Sequence, residues 1–193
     1  GAQRSDLRTV LITHGHPDHT GTALRLRRLT GARVLAHVHD AQGQPEDGLA
    51  VRHCAVPSVV ERLWMQVPLD GVLEDGQRLP VLGGLRVFHV PGHTPGSVAF
   101  YLEQQGVLFT GDTLLSNGTD FRRPLTFPGS NDAHYRRSLE RLAELEFAVA
   151  CPGHGKPILE GASGALARLL EDYPRESPWL DLLRRVLSGK LAR

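Results

Sequence analysis

Four times along the chain a short apolar run, rich in β-branched residues, stops at a turn containing Gly or Pro. Each turn carries His or Asp: VLIT before HGHPDH at 10–19, LRVFHV before PGH at 85–93, VLFT before GD at 107–112, and FAVAC before PGH at 147–154. Runs of that length and composition read as strands, and the Gly or Pro that follows ends each one. Such a chain delivers metal-type side chains from the C-terminal ends of several strands. If those ends share one edge of a sheet, the side chains converge on one cleft.

Helix-like stretches lie between these strands. TALRLRRLTG places Ala23, Leu24, Leu26 and Leu29 on roughly one face and stops at Gly31, after which ARVLAHV (32–38) is another strand. SNDAHYRRSLERLAEL opens with the capping residues Ser130, Asn131 and Asp132 and carries an apolar stripe of Leu139, Leu142 and Leu145. SPWLDLLRRVLSG begins with Ser177 as cap and Pro178 at the first helical position, and Gly189 closes it. Residues 51–90 are richer in strand and turn signals. The class is α/β with a mixed sheet, organised as a single domain over 1–193 with C-terminal helices at about 162–190.

Composition narrows the partners. A chain of 193 residues can bury a sizeable core in one domain, and no apolar run reaches membrane-spanning length. Lys and Arg exceed Asp and Glu by one, so the doublets Arg27-Arg28, Arg136-Arg137 and Arg184-Arg185 are solvated helix faces and not a nucleic-acid footprint. The two cysteines, Cys54 and Cys151, match no paired pattern, which argues against a disulfide framework and for a reducing cytoplasm. Residues 1–9 hold no signal-peptide apolar core.

The loop THGHPDHTG (13–21) is the densest chemistry in the sequence. Residues two apart in an extended segment share a side, so His14 and His16 can reach one ion, and Gly15 lets the backbone come close. Pro17 turns the chain, and Asp18 and His19 then point away from the first pair. One loop can therefore serve two metal sites. His93, Asp112 and His154 follow similar strands. His37, His39, His53, His89 and His134 lack that strand-end setting and are expected to be structural or surface residues; Cys54 and Cys151 are expected to be ordinary packing residues.

THGHPDHTG resembles the H-x-H-x-D-H signature of the metallo-β-lactamase superfamily, and PGHTPGS (91–97), LFTGD (108–112) and PGHG (152–155) resemble its later motifs in the same order. The match runs from residue 10 to about residue 157. It is nearest to the glyoxalase II-like hydrolases, because Asp112 stands where the zinc β-lactamases usually carry a cysteine ligand. The resemblance implies an αββα sandwich with mixed sheets. It further implies that His14, His16 and His93 hold one divalent ion, that Asp18, His19 and His154 hold another, and that Asp112 bridges both. Nitrogen and carboxylate donors suit zinc, with iron or manganese as alternatives. A hydroxide shared by the ions would attack an acyl carbonyl, with Asp18 as the catalytic residue that orients it and accepts its proton.

Departures from the family pattern bear on the substrate. Only 39 residues follow His154, where glyoxalase II carries a helical substrate-binding domain, and SNGTDFRRP replaces its Gly-Cys-Gly-Arg run. A small-molecule acyl ester, thioester or lactone is the expected substrate class, with no nucleic-acid or membrane partner. The long stretch 113–130 follows Asp112 as an irregular loop, and Phe121, Arg122 and Arg123 are its candidate substrate contacts. Two other functions fit the residues less well: a mononuclear iron persulfide dioxygenase using only His14, His93 and Asp112, and a binding protein that kept the fold without catalysis.

Relatives in the superfamily usually run several strands before the H-x-H-x-D-H loop. Here thirteen residues precede His14, room for one strand. The expectation is a domain lacking its N-terminal strands, with an exposed edge and apolar face at VLIT, or a homodimer in which a second copy supplies the cover.

Overall fold

The computed structural model describes residues 1, 3–42, 49–51 and 67–173. The expectations for His53, Cys54 and the helix at 177–189 lie outside the described residues. In chain order the strands are β1 (Thr9–Leu11), β2 (Arg33–His37), β3 (Ala41–Gln42), β4 (Ala50–Val51), β5 (Gly71–Leu73), β6 (Arg78–Leu79), β7 (Leu85–His89), β8 (Val98–Leu102), β9 (Val107–Gly111), β10 (Leu115–Asn117), β11 (Phe121–Arg122), β12 (Val149–Pro152) and β13 (Gly155–Lys156). The helices are α1 (Pro17–Thr20), α2 (Ala23–Thr30), α3 (Asp132–Leu142) and α4 (Ala162–Asp172).

Two sheets face each other. The first is parallel, in the order β1-β2-β5; the second is mixed, in the order β12-β9-β8-β7-β6, with β12 parallel to β9 and the other pairs antiparallel. Strand β8, VAFYL, is buried at every position because both its faces are covered. Val98, Phe100 and Leu102 pack with Leu35 and Leu73 of the first sheet, while Ala99 and Tyr101 pack with Tyr135, Leu139 and Leu142 of α3 and Leu166 of α4. On the far side of the first sheet, Ile12, Val34 and Ala36 pack with Ala23 and Leu24 of α2. The layers are therefore helix, sheet, sheet and helix pair. Truncating fully buried Leu139 to Ala would cost roughly 2–5 kcal/mol.

Helix α2 corrects one sequence expectation. It ends, as expected, at Gly31 in the left-handed region (φ 72°), but Leu26 and Leu29 remain exposed. At about 100° per residue the face centred between Ala23 and Leu24 carries Arg27, and Leu29 falls nearly opposite it. Arg27 uses that face to grip Asp70 with Nε at 3.1 Å and Nη2 at 2.8 Å, while Asp70 also accepts from the Val34 N–H. Helix α3 follows its cap signals: the Asn131 side chain accepts from the His134 N–H at 2.9 Å.

The stretch 113–130 is more ordered than the sequence suggests. It contains β10 and β11, antiparallel to each other, and β10 also pairs in parallel with β13. The turn between them is built by Asn117, whose Oδ1 accepts from the N–H groups of Thr119 and Asp120. That side-chain turn hides among polar residues with no periodic signal. Strand β1 has one paired neighbour, β2, among the described residues, and a cavity of about 620 Å³ opens beside it, lined by Leu11, Leu35, Leu82, Phe100 and Phe109 among others. No described helix is long and apolar enough to cross a membrane.

Candidate metal centre

The ends of β1, β7, β9 and β12 bring the sequence's His and Asp residues to one place. His16 sits at the N-cap of α1 in extended backbone, and Pro17, at the first helical position, starts the turn that carries Asp18 and His19. His93 follows β7 by four residues, Asp112 directly follows β9, and His154 lies two residues beyond β12. The two sheets are tied at this edge by the Val98 N–H, which donates to the Thr13 carbonyl at 2.8 Å.

Two groups form. His14 Nε2 and His93 Nε2 lie 3.1 and 2.9 Å from His16 Nδ1, and all three side chains are buried. Beyond them, His154 Nε2 lies 2.9 Å from Asp18 Oδ2 and 3.2 Å from His19 Nε2; this group is more open, with Asp18 and His154 about half exposed. Asp112 stands between the groups. Its Oδ1 is 3.3 Å from His19 Nε2, and its Oδ2 is 3.5 Å from His154, 3.7 Å from His93 and 3.9 Å from His14.

The donors suit divalent ions. Tetrahedral zinc with Zn–N bonds of about 2.0–2.1 Å separates ligand nitrogens by roughly 3.3 Å, close to the spacing of the three-histidine group. Asp112 Oδ1 is buried without a hydrogen-bond partner of good geometry, an orphan that a cation would satisfy. Burial, with the neighbouring histidines, pushes the His14 pKa far below its ordinary value, and burial likewise lowers His16 and His93, so their lone pairs are free at neutral pH. Burial also opposes charge on His19, but the Asp112 and Asp18 carboxylates outweigh it and raise its pKa. For Asp18, burial raises the pKa; its own backbone N–H, His19 and His154 prevail and hold the carboxyl below the usual range.

His37, His39 and His89 also bring ring nitrogens within 4.8 Å of one another. The His37 and His89 rings are stacked, with centroids 3.9 Å apart and planes 10° from parallel, so their in-plane lone pairs do not converge on a shared ion. His89 Nε2 instead donates to the Pro95 carbonyl at 2.9 Å. The His39 ring contacts the other two edge-on, and His134 lies exposed on α3. Cys151 is a half-buried free thiol whose pKa burial raises.

A cavity of about 300 Å³ opens over the His and Asp groups, walled by Leu115, Pro124, Leu125 and Phe127. Phe127 meets the His16 and His93 rings edge-on, at 5.3 and 6.3 Å between centroids. The candidate contacts Phe121, Arg122 and Arg123 are not in this wall. Phe121 packs in the core against the helix pair, Arg122 is exposed on β11, and Arg123 pairs with Asp132 at 2.5 Å beneath Tyr173. Three of the wall residues, Pro124, Leu125 and Phe127, follow one to four positions after Arg123, and Leu115 precedes it. The sequence reading placed the contacts at 121–123 and did not name these residues.

The chain is similar to known proteins in sequence and in fold. A hydroxyacylglutathione hydrolase of Pseudomonas paraeruginosa (strain DSM 24068 / PA7) is 38% identical over 141 residues, which is 72% of this chain and 43% of the relative. An atrochrysone carboxyl ACP thioesterase, AgnL7, of Paecilomyces divaricatus is 31% identical over 197 residues, 99% of this chain and 52% of the relative. The chain thus spans about half the length, or less, of these curated relatives. A crystal structure of TTHA1623 in a di-iron-bound form superposes with a TM-score of 0.60 at 30% identity, covering 89% of this chain and 76% of that one. The family model described as the metallo-beta-lactamase superfamily matches residues 1–154. With its sandwich of two sheets between helices and the strand-end His and Asp residues at one edge, the chain belongs to the metallo-β-lactamase superfamily.

Proposed function

We propose that the chain is a dinuclear metal-dependent hydrolase of a small acyl substrate, with His14, His16 and His93 holding one ion, Asp18, His19 and His154 the other, and Asp112 between them. The observation that carries this reading is the position of Asp112. One buried carboxylate lies within 4 Å of nitrogens from both groups, its Oδ2 near His93 and His14 of the first and His154 of the second and its Oδ1 near His19 of the second, which supports a ligand shared by two cations. Two divalent ions in these groups would supply Lewis acidity to polarise a carbonyl and make water nucleophilic at neutral pH.

The chain's own residues do the rest. Asp18, ionised at neutral pH, accepts the proton of the attacking water, and its half-exposed position lets it pass that proton to solvent. The apolar wall of Leu115, Leu125 and Phe127 holds the acyl portion against the His and Asp groups and keeps bulk water from its far side. Among ester, thioester and lactone, the thioester is favoured, since one curated relative is named a thioesterase and the other a hydrolase of hydroxyacylglutathione.

Metal content after saturation, measured together with turnover of a panel of thioesters, esters, lactones and phosphodiesters, tests the proposal. Two ions per chain and turnover of an acyl substrate are expected. One iron per chain with oxygen-dependent turnover of a persulfide would replace it with a dioxygenase.

A further inference from the structure

We propose that Asp40 is a positioning residue that locks the His14–Gly15–His16 loop to the His93 loop and thereby sets the metal affinity of the three-histidine group. The inference rests on the ligand assignment made above. Asp40 ends the 3-10 turn Val38–Asp40 that follows β2 and is completely buried. Its Oδ2 accepts from the Gly15 N–H at 2.7 Å and from the Thr94 hydroxyl at 2.7 Å; its Oδ1 accepts from the Gly96 N–H at 2.7 Å. Gly15 is the residue between the two histidines of the first loop, and Thr94 is the residue after His93. One carboxylate therefore grips both ligand-bearing loops, at positions 25 and 54 residues away along the chain.

The surroundings are fitted to this grip. Thr94 is held for it by Ser97, whose Oγ accepts from the Thr94 N–H at 3.1 Å and lies 2.8 Å from the Thr94 hydroxyl. A Cβ on Gly96 would come 2.5 Å from the Asp40 backbone nitrogen and 2.6 Å from its Cγ, so the approach needs glycine. Hydrogen bonds to a carboxylate are the strong kind, and without it two buried backbone N–H groups would have no acceptor. Asp40 reaches neither Asp18, His19 nor His154 through any of these bonds. Groups that orient ligands in this way typically alter metal affinity by about 10–100-fold.

The test separates the two groups. Zinc affinity of the full chain is measured by competition with a chromophoric chelator in a His154→Ala background, which keeps the three-histidine group, and in a His93→Ala background, which keeps the other. Asp40→Asn is expected to weaken zinc binding about 10–100-fold in the first background and to leave it unchanged in the second. A general loss of structure would lower both alike. Thr94→Val removes one of the three donors and should give a smaller loss in the first background alone, which serves if Asp40→Asn does not fold. Equal losses in both backgrounds, or none in the first, would overturn the role of Asp40. Wild-type chain that binds a single zinc would instead overturn the ligand assignment itself.

Discussion

His16 Nδ1 lies 2.9 Å from His93 Nε2, although 77 residues separate them and they follow strands of different sheets. The contact exists because β1 and β7 end at the same edge of the sandwich, where the Val98–Thr13 hydrogen bond joins the two sheets. The site is thus a property of sheet-on-sheet packing, and residues that set that packing set the ligand geometry.

The two groups should be separable by mutation. His154→Ala is expected to reduce zinc content from two ions per chain to one, because Asp18, His19 and the shared Asp112 make a weaker, more open site, while the buried three-histidine group persists. Elemental analysis after dialysis reads this directly. Two ions retained by His154→Ala would exclude His154 as a ligand.

Asp18→Asn keeps the shape of the side chain but removes its ability to take a proton. With metal saturated, kcat should fall about 10²–10⁴-fold while the far-UV circular dichroism stays that of wild type. His134→Ala, exposed on α3, should leave kcat within error. Unchanged turnover in Asp18→Asn would take Asp18 out of the proton transfer.

Gly153 is packed so tightly that a Cβ there would run into Asp112 Oδ1 and come 2.6 Å from His19 Cε1. Gly153→Ala should therefore weaken metal binding while the hydrophobic core stays intact, since its collision is with the ligands themselves. The expected signature is a chelator midpoint shifted at least 10-fold with little change in the melting temperature of the metal-free chain. Wild-type metal affinity in this variant would show that Asp112 can move without cost.

Phe127, edge-on to His16 and His93, forms the inner part of the cavity wall. Phe127→Ala should raise KM for an apolar acyl thioester about 10-fold, with a smaller effect on an acetyl thioester that does not reach the wall. Steady-state kinetics on the two substrates decide it, and parallel changes in both would place Phe127 outside the acyl subsite.

His37 gives a pH dependence of known sign. Burial, reinforced by His89 and His39, lowers its pKa from 6.5 to about 4 in the folded chain. Between those values the unfolded chain binds the proton and the folded chain does not, so stability present above pH 6.5 is lost as pH falls toward 4. Urea denaturation of the metal-free chain at pH 7 and pH 5 should show this loss in wild type and less of it in His37→Gln. Equal losses would assign the acid sensitivity to other groups.

The local signals in the sequence determined a great deal. The strand runs at 10–13, 85–90, 107–110 and 147–151 correspond to β1, β7, β9 and β12, whose ends differ from those runs by one or two residues, and the His or Asp that follows each lies at the candidate centre in the structure. The same is true of α3, whose Asn131 cap and leucine stripe obey short-range rules. Those features depend on neighbours within about one helical turn, which a sequence displays directly. Leu26 and Leu29 show the limit of that reading, because which arc of α2 faces the sheet is decided by Arg27 gripping Asp70, 43 residues away. The substrate wall shows it again. Phe121, Arg122 and Arg123 are candidates because their loop follows Asp112, yet β10 and β11 turn Phe121 into the core and leave Leu125 and Phe127 over the His and Asp groups. Asp40 carried no signal, because a carboxylate after a strand gains its meaning only when tertiary packing brings the Gly15, Thr94 and Gly96 donors to it from two distant loops.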